Sequence, residues 1–143
     1  MKSKILVFIQ FFLILLMILP HSSTESYKLF GFLFLILGLS VGLLAILKHP
    51  RNNFNIRPDI KENCLLMTDG IYAYMRHPMY FSVIVSMLGI LLLRFNALEL
   101  GLYLLLVLNM LVKMFYEESL WLCEGQEYRE YAKKTKRLIP YIF

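Results

Sequence analysis

The chain has 143 residues, 59% of them hydrophobic and 17% charged, with a net charge of +5 at neutral pH and a mean hydropathy of +0.62. Soluble globular domains keep roughly half of their residues or fewer apolar, so this composition excludes an ordinary soluble domain and indicates an integral membrane protein. No soluble basic domain remains to carry a nucleic-acid fold, which excludes nucleic acid as a partner.

A hydrocarbon core needs about 20 apolar helical residues, or somewhat fewer where flanking Lys and Arg snorkel. Spans are expected at about 5–20, 29–47, 79–93 and 98–114, the last apolar without interruption only from 100 to 112 because Glu99 breaks it. Lys2, Lys4, an apolar core and His21-Ser22-Ser23-Thr24 also describe a secretory signal, but no Ala-x-Ala-like cleavage pattern follows, so an uncleaved helix is expected. In the second stretch Gly31, Gly38 and Gly42 share one helical face, and in the third Ser82, Ser86 and Gly89 repeat the device, so these two helices are expected to cross closely.

Between them, residues 48–77 form the long middle loop. Pro50 and Pro58 mark its first half as extended, and Thr68 or Asp69 caps a short helix carrying Tyr72, Tyr74 and Met75 along the membrane surface. Arg76, His77 and Pro78 then precede the charge-free run 79–93 with no loop between. Ionisable groups at such a border are costly without a partner or ligand. Pro78 suits the first turn of a helix and pushes His77 out of helical geometry, making His77 a cap. With the free N–H groups of the next turn, Arg76 and His77 would form an anion site; the plainer alternative is an Arg that only anchors the helix.

Arg94-Phe95-Asn96 reads as a tight hairpin turn into the fourth stretch. Of the 15 Lys and Arg, only Lys28 and Arg94 fall in the first and third loops, so both termini and the middle loop are expected in the cytoplasm. Helical character continues past Lys113 through Trp121, carrying Glu117 and Glu118 about a turn beyond the membrane face, level with Arg76 and His77. Two acids and two bases in one layer are either a salt-bridge cluster or a pair of opposite grips on one polar ligand. The remainder of 115–143 mixes aromatic side chains with Lys133, Lys134, Lys136 and Arg137, which suits an anionic lipid surface or a lid. Cys64 and Cys123 lie on the expected cytoplasmic side, where thiols stay reduced, and fit no zinc spacing with His49 or His77. No disulfide and no metal are expected. The fold expected is a single all-α, polytopic membrane domain of four transmembrane helices with a cytoplasmic C-terminal helix and tail.

The order Asn53-Phe54-Asn55-Ile56-Arg57-Pro58, Thr68-Asp69-Gly70-Ile71-Tyr72, Arg76-His77-Pro78-Met79-Tyr80, Glu117-Glu118 and Gly125-Gln126-Glu127-Tyr128-Arg129-Glu130-Tyr131, closing in Arg137-Leu138-Ile139-Pro140, resembles the isoprenylcysteine carboxyl methyltransferase family over about residues 28–143. That superfamily also contains phospholipid methyltransferases. The resemblance implies a membrane enzyme using S-adenosylmethionine, held in a cytoplasmic pocket made by the last two membrane helices and the tail. By position, Arg76, His77, Pro78 and Tyr80 match its Arg-His-Pro-x-Tyr motif, and Glu117 and Glu118 its acidic pair. Two departures stand out: Ser82 where members often have Gly, and one residue fewer between the acidic pair and Gly125. A four-helix chain resembles the minimal prokaryotic members, which implies a prokaryotic inner membrane with the site facing the cytoplasm.

A Gly-x-Gly-x-x-Gly turn is absent, so the donor would be gripped at its ends. Arg76 and His77 are expected on the methionyl carboxylate and Glu117 or Glu118 on the amino group or ribose, with Tyr72, Tyr80 and Trp121 over the adenine or sulfonium. Arg76, Glu117 and Glu118 are the candidate catalytic residues. A carboxylate acceptor needs a cation such as Arg76 to orient it; an amine or thiol needs a base. The acceptor would be a lipophilic small molecule or lipidated chain entering between the second and third helices. Phospholipid amine or thiol methylation stays open, as does a non-catalytic bundle whose charged layer is only structural.

Overall fold

The computed structural model describes residues 2–19, 22, 25–48 and 66–143. The extended first half of the middle loop, with His49, the Asn53 to Pro58 motif and Cys64, lies outside them. The described chain is all-helical: α1 (Lys2–Ile18), α2 (Lys28–Lys48), a short 3-10 turn (Gly70–Ala73), α3 (Pro78–Leu93), α4 (Ala97–Glu124) and α5 (Gln126–Lys134). Among the described residues, Lys28–Lys48 and Ala97–Cys123 are long and apolar enough to cross a membrane, and α3 is a shorter apolar helix. At 28 residues α4 is about 42 Å long, well beyond a hydrocarbon core of about 30 Å.

The close crossing of α2 and α3 is as tight as the small residues foreshadow. A methyl group added at Gly89 would lie 2.6 Å from the Leu35 backbone nitrogen and 2.7 Å from the Gly31 carbonyl, and one at Gly38 would meet Ser86. Gly42 faces Ser82 in the same way. Apolar helices gain little from hiding Leu against Leu when lipid is the alternative, so backbone proximity carries the packing. The outer faces of α2 stay exposed, with Leu29, Phe30, Ile36 and Leu47 all more than half accessible. Backbones this close leave no gap at the glycine positions between α2 and α3, the two helices between which the sequence reading places lateral substrate entry.

On the other side α1 packs along α4. Leu13, Met17, Leu106 and Met110 are buried there with Met87 and Leu91 of α3. Polar groups stitch this interface: Asn109 Nδ2 donates to the Leu6 carbonyl at 3.1 Å, and Lys113 Nζ to Gln10 Oε1 at 2.7 Å. Lys113, counted with the cytoplasmic cations in the sequence, is only 2% exposed.

The turn at Arg94-Phe95-Asn96 forms as expected, and Asn96 caps α4 by accepting from the Glu99 N–H at 2.9 Å. Glu99 does not interrupt the helix: it sits fully buried in the first turn with Arg94 Nη2 at 3.7 Å. An acid there also faces the positive end of the helix dipole. The Arg94 guanidinium reaches over the end of α1 to the carbonyls of Met17, Ile18 and Leu19, satisfying acceptors that a helix C-terminus leaves open.

Gly89→Ala is expected to lower the thermal unfolding temperature of the purified protein, since backbone on both sides has to move; overpacking of this kind costs about 1–3 kcal/mol. Gly101→Ala, where an added methyl meets nothing within 4 Å, should be tolerated. Equal melting of the two variants would refute this account of the α2–α3 contact.

Candidate functional site

The site forms where the segment before α3, the end of α4 and the folded-back tail meet. Gly70, at φ +59, turns the chain into the 3-10 helix, and Asp69 beside it pairs with Lys48 Nζ at 2.8 Å. That hydrogen bond and charge hold the exposed Asp69 carboxyl below its ordinary range. Asp69 occupies the cap position but its side chain makes no capping bond.

The tail then pairs with the segment leading into α3. Arg76 N–H donates to the Lys136 carbonyl at 2.8 Å and His77 N–H to the Arg137 carbonyl at 3.0 Å. Tyr131 Oη donates to the Tyr72 carbonyl at 2.5 Å. The tail folds back onto the segment before α3, as one of its two sequence readings expects. Its aromatic side chains Tyr128 and Tyr131 and the apolar Leu138 turn inward and are buried. Burial pushes the Tyr131 phenol up to about 12 and also raises Tyr72 and Tyr128, so all three are neutral hydrogen-bonding groups at physiological pH.

At the centre is the Glu118 carboxylate, 5% exposed. Arg76 Nε and Nη2 reach its Oε1 at 2.9 and 2.8 Å, His77 Nε2 lies 3.3 Å from the same oxygen, and Arg137 Nε donates to Oε2 at 2.7 Å. Arg76 Nη1 is used as well, on the carbonyls of Ala132 and Thr135. Burial works against the charged form of Glu118, but the hydrogen bonds from His77, Arg137 and Arg76 outweigh it and hold the carboxyl down at about 2.

Glu117 faces a different group, accepting a hydrogen bond from Tyr80 Oη. The Tyr80 ring stacks on His77 at 5.3 Å, and on its other side Lys113 Nζ lies 5.1 Å from the ring centroid. Trp121 stacks on Tyr128 at 5.6 Å. Pro78 is buried at the first position of α3. The eight residues singled out in the sequence are thus brought to one layer. Two details differ from the sequence reading. The His77 imidazole makes no cap, since it faces Glu118; instead the His77 carbonyl takes the Tyr80 and Phe81 N–H groups. With those N–H groups engaged and Arg76 spent on Glu118, the start of α3 is not the open anion site expected.

A cavity of about 330 Å³ opens beside the cluster, lined by Arg76, Glu118, Tyr128, Arg137, Ile142 and Phe143 among others. Its size is at the lower end of small-ligand pockets. Of the sequence candidates only Arg76 and Glu118 line it; Tyr72, His77, Pro78, Tyr80, Glu117 and Trp121 stand behind its wall. Arg137 and Tyr128 were missed as site residues, although both belong to the motif that closes the chain. The Tyr128 hydroxyl is buried with no hydrogen-bond partner among the described residues. An orphaned hydroxyl beside a carboxylate and a guanidinium fits a zwitterionic, hydroxyl-bearing ligand such as S-adenosylmethionine. No group of three or more His, Cys, Asp and Glu that could hold a metal occurs among the described residues.

Because Glu118 is held down, its contribution to stability is complete above its ordinary value of 4.5 and is lost as pH falls toward about 2. Emission of Trp121, the one tryptophan, should therefore hold steady from pH 7 to 5 and change below 4.5 as the tail loosens. Glu118→Gln should flatten most of that transition; an identical transition in the variant would show that Glu118 does not control the tail.

Comparison with known proteins places the sequence in a family. The chain is 36% identical over 80 residues to a protein-S-isoprenylcysteine O-methyltransferase of Schizosaccharomyces pombe, an alignment covering 54% of this chain and 34% of the relative. It is 29% identical over 115 residues to probable protein-S-isoprenylcysteine O-methyltransferases of Oryza sativa subspecies indica and japonica, covering 78% of this chain and 60% of each relative. The chain therefore spans between about a third and three fifths of these relatives. No solved structure matches it. The profile of the isoprenylcysteine carboxyl methyltransferase (ICMT) family matches residues 31–123, more than half of the sequence and including both the Arg-His-Pro motif and the acidic pair, and the chain belongs to that family.

Proposed function

We propose that this protein is an S-adenosylmethionine-dependent membrane methyltransferase that esterifies the carboxylate of a lipophilic, isoprenylcysteine-like acceptor. The observation that carries the reading is the polar cavity at the end of apolar helices, lined by Glu118, Arg137 and Tyr128, with the unpaired Tyr128 hydroxyl buried beside it. In this reading α1, α2, α3 and residues 98–114 of α4 cross the membrane within one integral domain. Both termini and the cavity face the cytoplasm. Placement in a prokaryotic cell membrane follows only the resemblance to four-helix members, since the matched relatives are eukaryotic.

Bound S-adenosylmethionine supplies a methyl group activated on a sulfonium. The chain's own work is to hold and align the reactants and keep water out. Glu118, ionised at all physiological pH values, offers its cavity-side lone pairs to the donor's amino group. Arg137, which meets Glu118 through Nε and whose side chain is 38% exposed, presents the outer part of its guanidinium to the methionyl carboxylate. Arg76 fixes Glu118 and, through the Ala132 and Thr135 carbonyls, the end of α5, so it acts as a positioning residue. Tyr128 hydrogen-bonds a ribose hydroxyl, and His77 and Tyr80 back the wall. A carboxylate acceptor requires no base, which suits a cluster whose acids and bases already neutralise one another.

Calorimetric titration of S-adenosylmethionine into the protein in lipid nanodiscs tests the site. Saturable binding is expected, weakened at least about tenfold in Glu118→Ala and Arg137→Ala, in keeping with hydrogen bonds to charged groups. Glu117→Ala should bind nearly as wild type does, because Glu117 lies outside the cavity; the reverse order would move the donor to the Tyr80 side. Wild-type protein that binds no donor would leave the cluster a structural salt bridge.

The acceptor class has its own test. With a methyl-labelled donor and a lipid extract, the product should release volatile methanol in mild base, as a carboxyl ester does. Label that survives base would identify an amine or thioether and overturn carboxyl methylation.

A further inference from the structure

The proposed donor site leaves one buried charge unused. Lys113 is 2% exposed, yet its ammonium meets a neutral partner, the Gln10 side-chain oxygen at 2.7 Å, and the face of Tyr80 at 5.1 Å. An ammonium has three N–H donors, and Gln10 is its hydrogen-bond acceptor among the described residues. Glu117, one turn further along α4 on the same face, is engaged by Tyr80 and forms no ion pair with Lys113. The arginines of the bundle each meet a carboxylate: Arg76 and Arg137 at Glu118, Arg94 at Glu99. Buried charges are ordinarily paired, because an uncompensated ion in a low dielectric is expensive. Among the described residues Lys113 therefore makes no direct ion pair; the Glu117 carboxylate, which accepts its hydrogen bond from Tyr80, attracts it only at a distance, and an anion in contact with the ammonium would complete its pairing.

We propose that Lys113, braced by Gln10 of α1, is the cation that receives the acceptor's carboxylate. This deepens the reading of the chain as a carboxyl methyltransferase and rests on it. Arg76, the residue the sequence suggests for this task, is unavailable, since its guanidinium is divided between Glu118 and two tail carbonyls. Lys113 stands five residues from Glu118 on α4, about 7.5 Å along the axis, one level deeper toward the lipid from which an apolar acceptor arrives. One carboxylate oxygen rests on the ammonium. The other supplies the electron pair that forms the O–CH3 bond as the methyl–sulfur bond breaks and its electrons return to sulfur; no proton moves. The ester formed is neutral, loses its ion pair with Lys113, and leaves. A protonated amine headgroup would meet repulsion at the same place, so the site selects anionic acceptors. Gln10 precedes the family-matched segment, which makes α1 a contributor to acceptor recognition.

The test titrates N-acetyl-S-farnesylcysteine and its carboxamide into the full chain in nanodiscs without donor, read by calorimetry. Wild type should prefer the carboxylate by about tenfold or more, the worth of a hydrogen bond to a charged group. Lys113→Met should abolish the preference and Lys113→Arg keep most of it. Should Lys113→Met not fold, Gln10→Glu decides: it gives the ammonium an internal carboxylate, and it should erase the preference while S-adenosylmethionine affinity stays unchanged. A wild type without the preference, or a preference that survives in Gln10→Glu, overturns the assignment. Donor titration in the same preparation separates the two failures, since loss of donor binding in wild type strikes the methyltransferase reading, whereas intact donor binding with an unaltered preference in Gln10→Glu strikes Lys113 alone.

Discussion

The architecture depends on the Glu118 carboxylate. Three cationic or cation-capable side chains from two separate stretches converge on it: Arg76 and His77 from the segment entering α3, and Arg137 from the tail. An ion buried to this extent is stabilising only when hydrogen bonds replace its lost water, and here both oxygens are served. The consequence is mechanical. The end of α4, the start of α3 and the last turn of α5 are fixed to one point, and the cavity is the space left between them. Removing Glu118 would leave Arg76 and Arg137 facing each other across a desolvated gap, which costs more than the loss of any single contact.

A second set of constraints holds the apolar part together, and it is chemically different. Between α2 and α3 the contact is backbone against backbone, made possible by Gly31, Gly38, Gly42 and Gly89. Between α1 and α4 polar side chains do the joining: Asn109 and Lys113 bind Leu6 and Gln10, while Arg94 closes the carbonyl end of α1. In surroundings where burying apolar area gives little advantage, close packing and internal hydrogen bonds are the interactions that specify neighbours. Each helix pair uses one of them.

What the sequence made legible follows from this. Spacing on a single helix is a local property, so the glycine and serine faces, the Arg94-Phe95-Asn96 turn and the adjacency of Glu117 and Glu118 could be read directly. The shared layer of Arg76, His77, Glu117 and Glu118 was readable too, because an antiparallel hairpin fixes which ends meet. Contacts between distant segments were not. Gln10 and Lys113 are joined across 103 positions, and Arg137 reaches Glu118 from a tail whose direction no periodicity records. The burial of Lys113 was not legible either, since a Lys at the end of an apolar run ordinarily snorkels. Glu99 looked like an interruption because its partner Arg94 belongs to the turn before it. His77 looked like a cap because Pro78 follows, but an imidazole within reach of a carboxylate is drawn there, and a backbone carbonyl can take over the capping.

On the proposed reading, the two polar levels of α4 would divide the labour that a transfer between a water-soluble donor and a lipid-borne acceptor requires. At Glu118 opposite charges meet beside the cavity, a setting that would suit a ligand carrying both charges without a large net field. At Lys113 no carboxylate is in direct contact among the described residues, which is the basis for assigning an anionic ligand to that level. Both levels sit on one continuous 28-residue helix, so their separation is set by helical rise and not by a flexible loop. Five residues also turn the helix by about 140°, so on this reading the donor and acceptor groups would approach α4 from different faces as well as at different depths, with both directions fixed by one rigid element.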